Sequence, residues 1–159
     1  MKNLLLIRHA KATHDTGYID FERPLKPSGA EDAGIMADRL KKNGIIPQMM
    51  IASPALRTIS TANIIAEHLG LPAPVTNQRI YEGSSDTLLD IIREVSDEYG
   101  FVALVGHNPN ISGLLYRLTH ESQDMQTCAC ALISLEADKW SDIKPATGLV
   151  AFYSYPGEE

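Results

Sequence analysis

The chain has 159 residues, a length typical of one domain with a single buried core. Its formal net charge of −6 argues against binding a nucleic acid, because contact with the phosphate backbone requires a basic stripe. Only a short apolar run precedes Arg8, and no stretch approaches the length of a membrane span. We therefore expect a cytoplasmic protein with no nucleic-acid partner and no membrane partner.

Short apolar runs alternate with helical patterns along the chain, which predicts an α/β fold with helices covering a sheet. The first run, "NLLLI", and the later "FVALV" are typical of strands buried on both faces. The last strand is predicted at an edge of the sheet. The predicted strands cover residues 3–7, 49–52, 73–77, 101–105, 129–135 and 149–155.

Two helices are predicted in the first half of the chain. Ser28 and Glu31 form a Ser-x-x-Glu capping box at the start of the first, and Gly44 ends it. Ser53 is the expected N-cap of the second, followed by proline at the first helical position, and Gly70 ends it.

Two more helices are predicted in the second half. An apolar stripe from Leu88 to Val95 marks the third, which we expect to close near Gly100. The fourth begins with Asn108 as N-cap and Pro109 at the first helical position, as in the helix after Ser53.

Three predicted buried strands end in polar residues. Arg8 and His9 follow the first strand, Ser53 follows the second, and His107 and Asn108 follow "FVALV". Ligands of open α/β sheets bind outside the carboxyl ends of the strands. The predicted topology would therefore bring these three sets of residues together, although they are far apart in sequence.

Two arginines and two histidines of these segments are typical of an anion pocket. Arg57 falls in the first turn of its helix, where a cation is unfavourable unless an anion binds there too. Taken alone, Arg57 could be a solvated side chain and His107 a packing or capping residue. Together with Arg8 and His9, and with two helix N-termini, they indicate a phosphate site.

Other chemistries have weaker support. His9, His14 and Asp15 lack the spacing of a known zinc motif, and the last two are expected to be solvated loop residues, so no metal and no cofactor is predicted. The chain has no P-loop and no Gly-x-Ser-x-Gly elbow. Neither Cys128 nor Cys130 is followed by an arginine-bearing turn, and we expect both to be core thiols on one face of a strand. A histidine is the remaining candidate nucleophile.

Five stretches carry a resemblance to a known family. They are "LIRHAKA", "RPLKPSG", "SPALRTISTA", "IYEGSSDTLLD" and "LVGHNPNISGL", which run in order from Leu4 to about Leu115. The chain resembles the histidine phosphatase superfamily, which is phosphoglycerate mutase-like, and within it the SixA-type phosphohistidine phosphatases. The resemblance implies one histidine phosphatase domain over residues 1–159. It also implies a three-layer α/β/α sandwich around a mostly parallel sheet, with a phosphoryl-transfer site at its carboxyl edge.

The resemblance assigns roles to six residues. His9 would be the nucleophile, and Glu82 lies where larger relatives place a general acid. Four residues would bind the phosphoryl group of the substrate: Arg8, Arg23, Arg57 and His107. A protonated His107 would add positive charge to the transition state, and a neutral imidazole would be required at His9.

The expected activity is a metal-independent phosphatase that works through a phosphohistidine enzyme intermediate, with protein phosphohistidine as its substrate. A phosphohistidine expels imidazole, a better leaving group than the alkoxide of an ester, and so suits a site without a well-placed acid. Two alternatives stay open at this point. One is a small-molecule phosphomonoesterase, and the other is a non-catalytic phosphate-binding module.

Overall fold

The computed structural model describes residues 1–158 and contains one six-stranded sheet. Its strands are β1 (Lys2–Arg8), β2 (Met49–Ala52), β3 (Val75–Thr76), β4 (Phe101–Gly106), β5 (Cys130–Leu135) and β6 (Gly148–Ser154). The strand order is β3-β2-β4-β1-β5-β6. The pairs β1–β4, β2–β4 and β2–β3 are parallel, whereas β5 pairs antiparallel with both β1 and β6. The prediction of a mostly parallel sheet with the last strand at an edge is confirmed.

Helices cover both faces of this sheet. They are α1 (Pro27–Lys42), α2 (Leu56–Leu69), α3 (Gln78–Glu82), α4 (Ser85–Arg93) and α5 (Asn110–Thr119), with two single 3₁₀ turns at Asp20–Glu22 and Trp140–Asp142. Apolar residues of α1 and α2 pack on one face, and those of α4 and α5 on the other, which gives the predicted α/β/α sandwich. Within residues 1–158, no helix has the length and apolar character that crossing a membrane requires.

The central strand β1 explains why the sheet holds its carboxyl edge rigidly. Leu4 and Leu6 belong to the core under α4 and α5, whereas Leu5 and Ile7 belong to the core under α1 and α2. All four side chains are fully buried, and each contributes about 1.5–3 kcal/mol of burial free energy. The strand is therefore fixed on both faces, up to the point where the polar residues begin.

The start of α1 differs from the prediction. The helix begins at Pro27 with Lys26 as N-cap, so Ser28 lies inside the first turn and its capping box with Glu31 is wrong. Proline fits the first helical position because it has no N–H to leave unsatisfied. The predicted stop is confirmed, since Gly44 follows the helix with a φ of +70°.

The start of α2 also lies later than predicted. The helix begins at Leu56, so Ser53 is not its N-cap. The Ser53 Oγ instead accepts a hydrogen bond from the Ala55 amide at 3.2 Å and lies 2.8 Å from Nε2 of His107. Gly70 ends the helix in the left-handed conformation, as predicted.

The third predicted helix is shorter than its apolar stripe. The helix α4 ends at Arg93, so Val95 lies beyond it, although this side chain still packs against the core. Its start is set by Ser84 and Thr87, whose side chains cap each other's backbone N–H groups. The apolar stripe is therefore a property of the core, and it continues past the helix itself.

The fourth predicted helix begins one residue later than predicted. The N-cap of α5 is Pro109, and Asn108 precedes it. Asn108 is occupied elsewhere: its Oδ1 accepts from the hydroxyl of Ser112, and its amide donates to the carbonyl of Met125. This side chain therefore ties the end of β4 to the segment before β5.

The two cysteines lie in the core as predicted, but not on one strand face. Strand β5 begins at Cys130, and Cys128 precedes it with a positive φ of 61°. Both thiols are fully buried, and burial raises the pKa of Cys128 to about 12. Both groups are therefore protonated thiols, whereas the thiolate is the form that reacts or binds metal.

Candidate active site

A cavity of about 240 Å³ opens at the carboxyl edge of the sheet, where β1 and β4 end and α2 begins. Among the described residues that line it, no carboxylate is present, and five side chains carry a permanent or near-permanent positive charge. These are Arg8, Lys11, Arg23, Lys26 and Arg57. Because the whole chain carries a net charge of −6, this concentration of cations marks a local anion site on an acidic protein.

His9 is the first residue after β1, and its backbone is fixed from two sides. Its N–H donates to the carbonyl of Gly106 at 3.1 Å, and its carbonyl accepts from the N–H of Cys128 at 3.0 Å. The side chain is 8% exposed, and its Nδ1 lies 2.8 Å from the carbonyl oxygen of Ala10. A carbonyl can only accept, so Nδ1 carries the proton and Nε2 keeps its lone pair.

The surroundings keep the His9 imidazole neutral. Burial lowers its pKa most, against the hydrogen bond to Ala10, and the charges of Arg57 and Arg8 lower it further, to about 4. At neutral pH the ring is therefore uncharged, as a nucleophile must be. These surroundings therefore favour the neutral imidazole expected at His9 from the sequence.

Arg57 is the second residue of α2 and is 6% exposed. Its Nη1 donates to the backbone carbonyl of Asp20 at 2.8 Å, and its Nη2 lies 3.1 Å from Oδ2 of the same residue. The side chain of Arg8 is anchored by a 2.9 Å hydrogen bond from Nη1 to the carbonyl of Met125. Within residues 1–158, the buried Nε atoms of both arginines have no acceptor. A buried donor left unpaired costs about 1–3 kcal/mol, which a bound anion at this site would offset.

His107 follows β4 and faces His9, with the two ring centroids 5.3 Å apart. Its Nε2 lies 2.8 Å from the Ser53 hydroxyl and 3.3 Å from the hydroxyl of Thr58. Burial lowers the pKa of His107 to about 3, with further lowering by His9 and Arg57. The protonated His107 expected from the sequence is therefore disfavoured, and this residue can contribute an N–H but not a full charge.

Arg23 also reaches the cavity, from the loop that connects β1 to α1. Its Nη1 donates to the carbonyl of Thr13 at 2.8 Å, and its Nε lies 3.1 Å from Oδ1 of Asp20. The structure thus brings five of the six sequence-predicted site residues to one cavity: Arg8, His9, Arg23, Arg57 and His107.

Glu82, the sixth, is not brought to the cavity. It is the last residue of α3, its side chain is exposed, and its carboxylate accepts a 3.1 Å hydrogen bond from Gln78. The placement of a general acid at Glu82 is not supported by this geometry.

Sequence reasoning missed Asp20, the carboxylate nearest to the cavity arginines. It lies in the 3₁₀ turn before Arg23 and forms ion pairs with Arg23 and Arg57, both at 3.1 Å. The hydrogen bond from Tyr81 is the largest cause that lowers the pKa of Asp20, and with the nearby arginines it brings this pKa to about 2. Asp20 is therefore ionised at neutral pH and cannot donate a proton. The opposite charges of Asp20 and Arg23 at spacing i, i+3 are the one sequence signal for this cluster.

Tyr81 is the second residue that the sequence did not indicate. Its hydroxyl donates to Oδ2 of Asp20 at 2.7 Å. Its ring meets His107 edge-on at 5.7 Å and Phe21 edge-on at 5.0 Å. Tyr81 thus links the loop that carries Asp20 to the end of β4.

The described residues form no metal site near the cavity or elsewhere. Across residues 1–158, no group of three or more His, Cys, Asp or Glu side chains is arranged to hold a metal ion. His14 lines the cavity, but Asp15 is exposed and its carboxylate accepts from the amide of Gly17. The candidate ligands His9, His14 and Asp15 therefore do not form one cluster.

Comparisons with known proteins show the family and the fold of the chain. A sequence model of the histidine phosphatase superfamily (branch 1) matches residues 4–84. An uncharacterised protein of Mycobacterium tuberculosis is 29% identical over 160 residues, covering 92% of this chain and 98% of its own length.

Solved structures share the whole fold. The SixA protein of Agrobacterium tumefaciens superposes with a TM-score of 0.84 at 24% identity, over 98% of both chains. The protein histidine phosphatase SixA in complex with tungstate gives a TM-score of 0.83 at 22% identity, over 97% of both chains. With the family match over half of its length, the chain belongs to the histidine phosphatase superfamily, branch 1.

Proposed function

We propose that this chain is a phosphatase that forms a covalent phosphohistidine at His9 and acts on phosphohistidine carried by other proteins. One observation carries the proposal: a neutral, buried imidazole stands at the end of a rigid strand, in a cavity with five cationic side chains and no carboxylate among its described lining residues. Such a cavity attracts a phosphoryl group and offers it a nucleophile.

In the first step, the lone pair of His9 Nε2 attacks phosphorus and forms a P–N bond. The bond from phosphorus to the substrate nitrogen breaks, and its electron pair returns to that nitrogen. The substrate ring carries a proton on its other nitrogen, so it leaves as neutral imidazole. Negative charge in the transition state is spread over the three equatorial oxygens. The guanidinium groups of Arg8 and Arg57 would stabilise this charge as fixed, permanently charged donors.

In the second step, water attacks phospho-His9. The P–N bond breaks, its electron pair returns to Nε2, and the proton lost by water passes to the phosphate product. His107 would assist as a neutral donor: when Nε2 accepts from the hydroxyl of Ser53, the proton lies on the unpartnered Nδ1. Both steps balance without a further reactant.

Phosphohistidine is favoured over a phosphate ester by the lack of a proton donor. Asp20 has a pKa of about 2, and Glu82 does not line the cavity. An alkoxide leaving group needs an acid, whereas an imidazole leaves readily. The fold shared with SixA, a protein histidine phosphatase, supports the same substrate class.

We further propose that the reaction needs no divalent cation. The charged side chains that line the cavity supply the positive charge that Mg²⁺ supplies in kinases. Excess EDTA should leave the rate within about twofold of its untreated value. Loss of activity in EDTA, restored by zinc or magnesium, would contradict this part of the proposal.

The substrate is tested with one pair of peptides of matched sequence, which carry phosphohistidine or phosphoserine at the same position. We expect the wild-type protein to hydrolyse phosphohistidine much faster, and His9→Ala to lose both activities. His14→Ala, which changes another histidine of the cavity lining, is the matched control and should retain activity. Faster release from phosphoserine would favour the phosphomonoesterase, and phosphate binding without turnover would favour the binding module.

A further inference from the structure

The carboxylate of Asp20 contacts two of the arginines that line the cavity. Its Oδ2 lies 3.1 Å from Nη2 of Arg57, and its Oδ1 lies 3.1 Å from Nε of Arg23. Its backbone carbonyl accepts from Nη1 of Arg57 at 2.8 Å. Both terminal nitrogens of Arg57 are therefore engaged by one acidic residue, which does not itself line the cavity.

The loop that carries Asp20 is closed at its base. Ala12 and Leu25 form an isolated antiparallel bridge, and the N–H of Thr13 donates to the carbonyl of Pro24 at 3.0 Å. Between these points, residues 13–24 contain only the single 3₁₀ turn that begins at Asp20. The loop is thus fixed at its neck, and its far end is held by side-chain contacts that a change of charge could break.

We propose that Asp20 is an internal counter-anion, which competes with the phosphoryl group for Arg57 and Arg23 and thereby weakens the binding of inorganic phosphate, the product. The inference rests on the proposed function, since it takes the cavity to be a phosphoryl site. It assigns Asp20 a role in affinity and product release, and no role in proton transfer.

Charge and geometry favour competition over simple support. A carboxylate oxygen and a phosphate oxygen are both charged acceptors for a guanidinium N–H, so a phosphate oxygen can replace Oδ2 of Asp20 at Nη2 of Arg57. Phosphate also carries negative charge, which the ionised Asp20 repels at short range. The Asp20 side chain is 54% exposed, so it can move into solvent without a desolvation penalty when phosphate takes its place.

Tyr81 holds the counter-anion in position. Its hydroxyl donates to the same Oδ2 that faces Arg57, at 2.7 Å, while its ring contacts His107. A hydrogen bond to a charged oxygen is roughly twice as strong as one between neutral groups. Loss of this hydroxyl would leave Asp20 charged, but its carboxylate would no longer be fixed next to the arginines.

The test measures the affinity for inorganic phosphate by isothermal titration calorimetry, at low ionic strength and neutral pH, in the full chain. We expect Asp20→Asn to bind phosphate about tenfold more tightly than wild type, because two half-exposed ion pairs are removed as competitors. Glu22→Gln is the matched control: it removes the same charge from the same 3₁₀ turn, and its carboxylate has no hydrogen bond or ion pair among the described residues. It should stay within about twofold of wild type.

The sign of the change decides the inference. If Asp20 only positions Arg57, its loss would weaken phosphate binding or leave it unchanged, and either result would overturn the proposal. Tyr81→Phe provides a second variant should Asp20→Asn fail to fold. We expect it to bind phosphate about twofold to fivefold more tightly, because Asp20 loses one of its several hydrogen bonds. An unchanged affinity for phosphate would contradict the proposal.

The same titration separates this inference from the proposed function. If wild type binds phosphate and Asp20→Asn binds it more tightly, the counter-anion stands even if the protein shows no turnover. If wild type binds phosphate and the variant does not gain affinity, only the counter-anion fails. If neither protein binds phosphate, the cavity is not a phosphoryl site and both proposals fail.

Discussion

The cavity has two walls that differ in how they are built. One wall consists of residues at the ends of strands or at the start of a long helix, such as Arg8, His9 and Arg57, which are held by the buried core. The other wall is the loop of residues 13–24, whose Asp20 and Arg23 are held by ion pairs and a hydrogen bond. The first wall carries the chemistry that we propose, and the second adjusts the affinity. Rigid elements thus supply precision, and the loop supplies a contact that can exchange with a ligand.

The largest difference between the walls should appear when each arginine is replaced by lysine. Arg57→Lys keeps the charge but loses the planar fork, and loss of one transition-state contact costs about 3 kcal/mol, or about a hundredfold in rate. Arg23→Lys, the matched change on the loop, should cost less than about tenfold. The measurement is kcat/KM for a phosphohistidine peptide. Equal losses would show that the two walls are not distinct, and a normal rate in Arg57→Lys would show that Arg57 makes no contact specific to the transition state.

A smaller effect is expected at Thr61, which joins the rigid elements to each other. Its buried hydroxyl accepts from the amide of Ala10 at 3.0 Å and donates to the carbonyl of Arg57 at 2.8 Å. Thr61→Val leaves that amide without an acceptor and should lower the free energy of unfolding by about 1–3 kcal/mol. Urea unfolding measures it. The control is Thr13→Val on the loop, where the hydroxyl accepts a solvent-exposed hydrogen bond from the amide of Asp15, so that water can replace the lost acceptor. A neutral result at Thr61 would remove this link between β1 and α2.

The pH profile of kcat/KM, which reports the free protein, should place the acid limb near pH 4. Burial lowers the pKa of His9 to about 4, so the ring is neutral above that pH and loses its lone pair to a proton below it. Activity on a chromogenic aryl phosphate should stay level from about pH 5.5 to 8 and halve near pH 4. An acid limb at the ordinary histidine value of about 6.5 would show that His9 is not buried among cations as described.

The same groups make stability depend on pH. His9 and His107 are neutral in the folded chain and have pKa values of about 4 and about 3 there. Between these values and the unfolded value of about 6.5, the unfolded chain binds more protons, so stability is full above that window and falls as pH falls through it. His9→Gln should flatten this slope, which thermal unfolding between pH 4 and 7 would show.

The smallest effect is expected at Glu82, outside both walls. Glu82→Gln should change release of phosphate from phosphohistidine by less than about twofold, because its carboxylate is exposed and, among residues 1–158, hydrogen-bonds only with Gln78. A loss of the ~10²–10⁴-fold that is typical of a missing general acid would restore the role that the sequence resemblance suggested. The initial rate of each protein on the same peptide decides between these outcomes.

The strand-end wall could be predicted from the sequence because its signals are local. Apolar runs that end in Arg8-His9 and in His107 predict the carboxyl edge of a sheet. The position of Arg57 near a helix start predicts that Arg57 lies at the same edge. The starts of the helices were predicted less accurately than the strands. Ser28, Ser53 and Asn108 are good capping types by sequence. In the structure, however, the Ser53 hydroxyl contacts His107, and the Asn108 amide donates to the segment before β5.

The loop wall could not be predicted in the same way. Asp20 contacts Arg57, 37 positions away, and Tyr81, 61 positions away, only because a loop with a single 3₁₀ turn folds over the sheet edge. The spacing of apolar and polar residues in the sequence does not indicate such a contact. Glu82 shows the reverse error, because a motif match placed an acid at the site. In the structure, the short helix α3 brings the preceding residue, Tyr81, against His107 and leaves Glu82 exposed.

The most direct test of the central claim is to trap the phosphorylated protein. Brief incubation with a ³²P-labelled phosphohistidine peptide, followed by alkaline quenching and peptide mapping, should give a label that is stable in base, labile in acid and located at His9. His14→Ala should label as wild type does, and His9→Ala should not label. A label at any other residue, or turnover without a label at His9 under conditions where the second step is slow, would contradict the account.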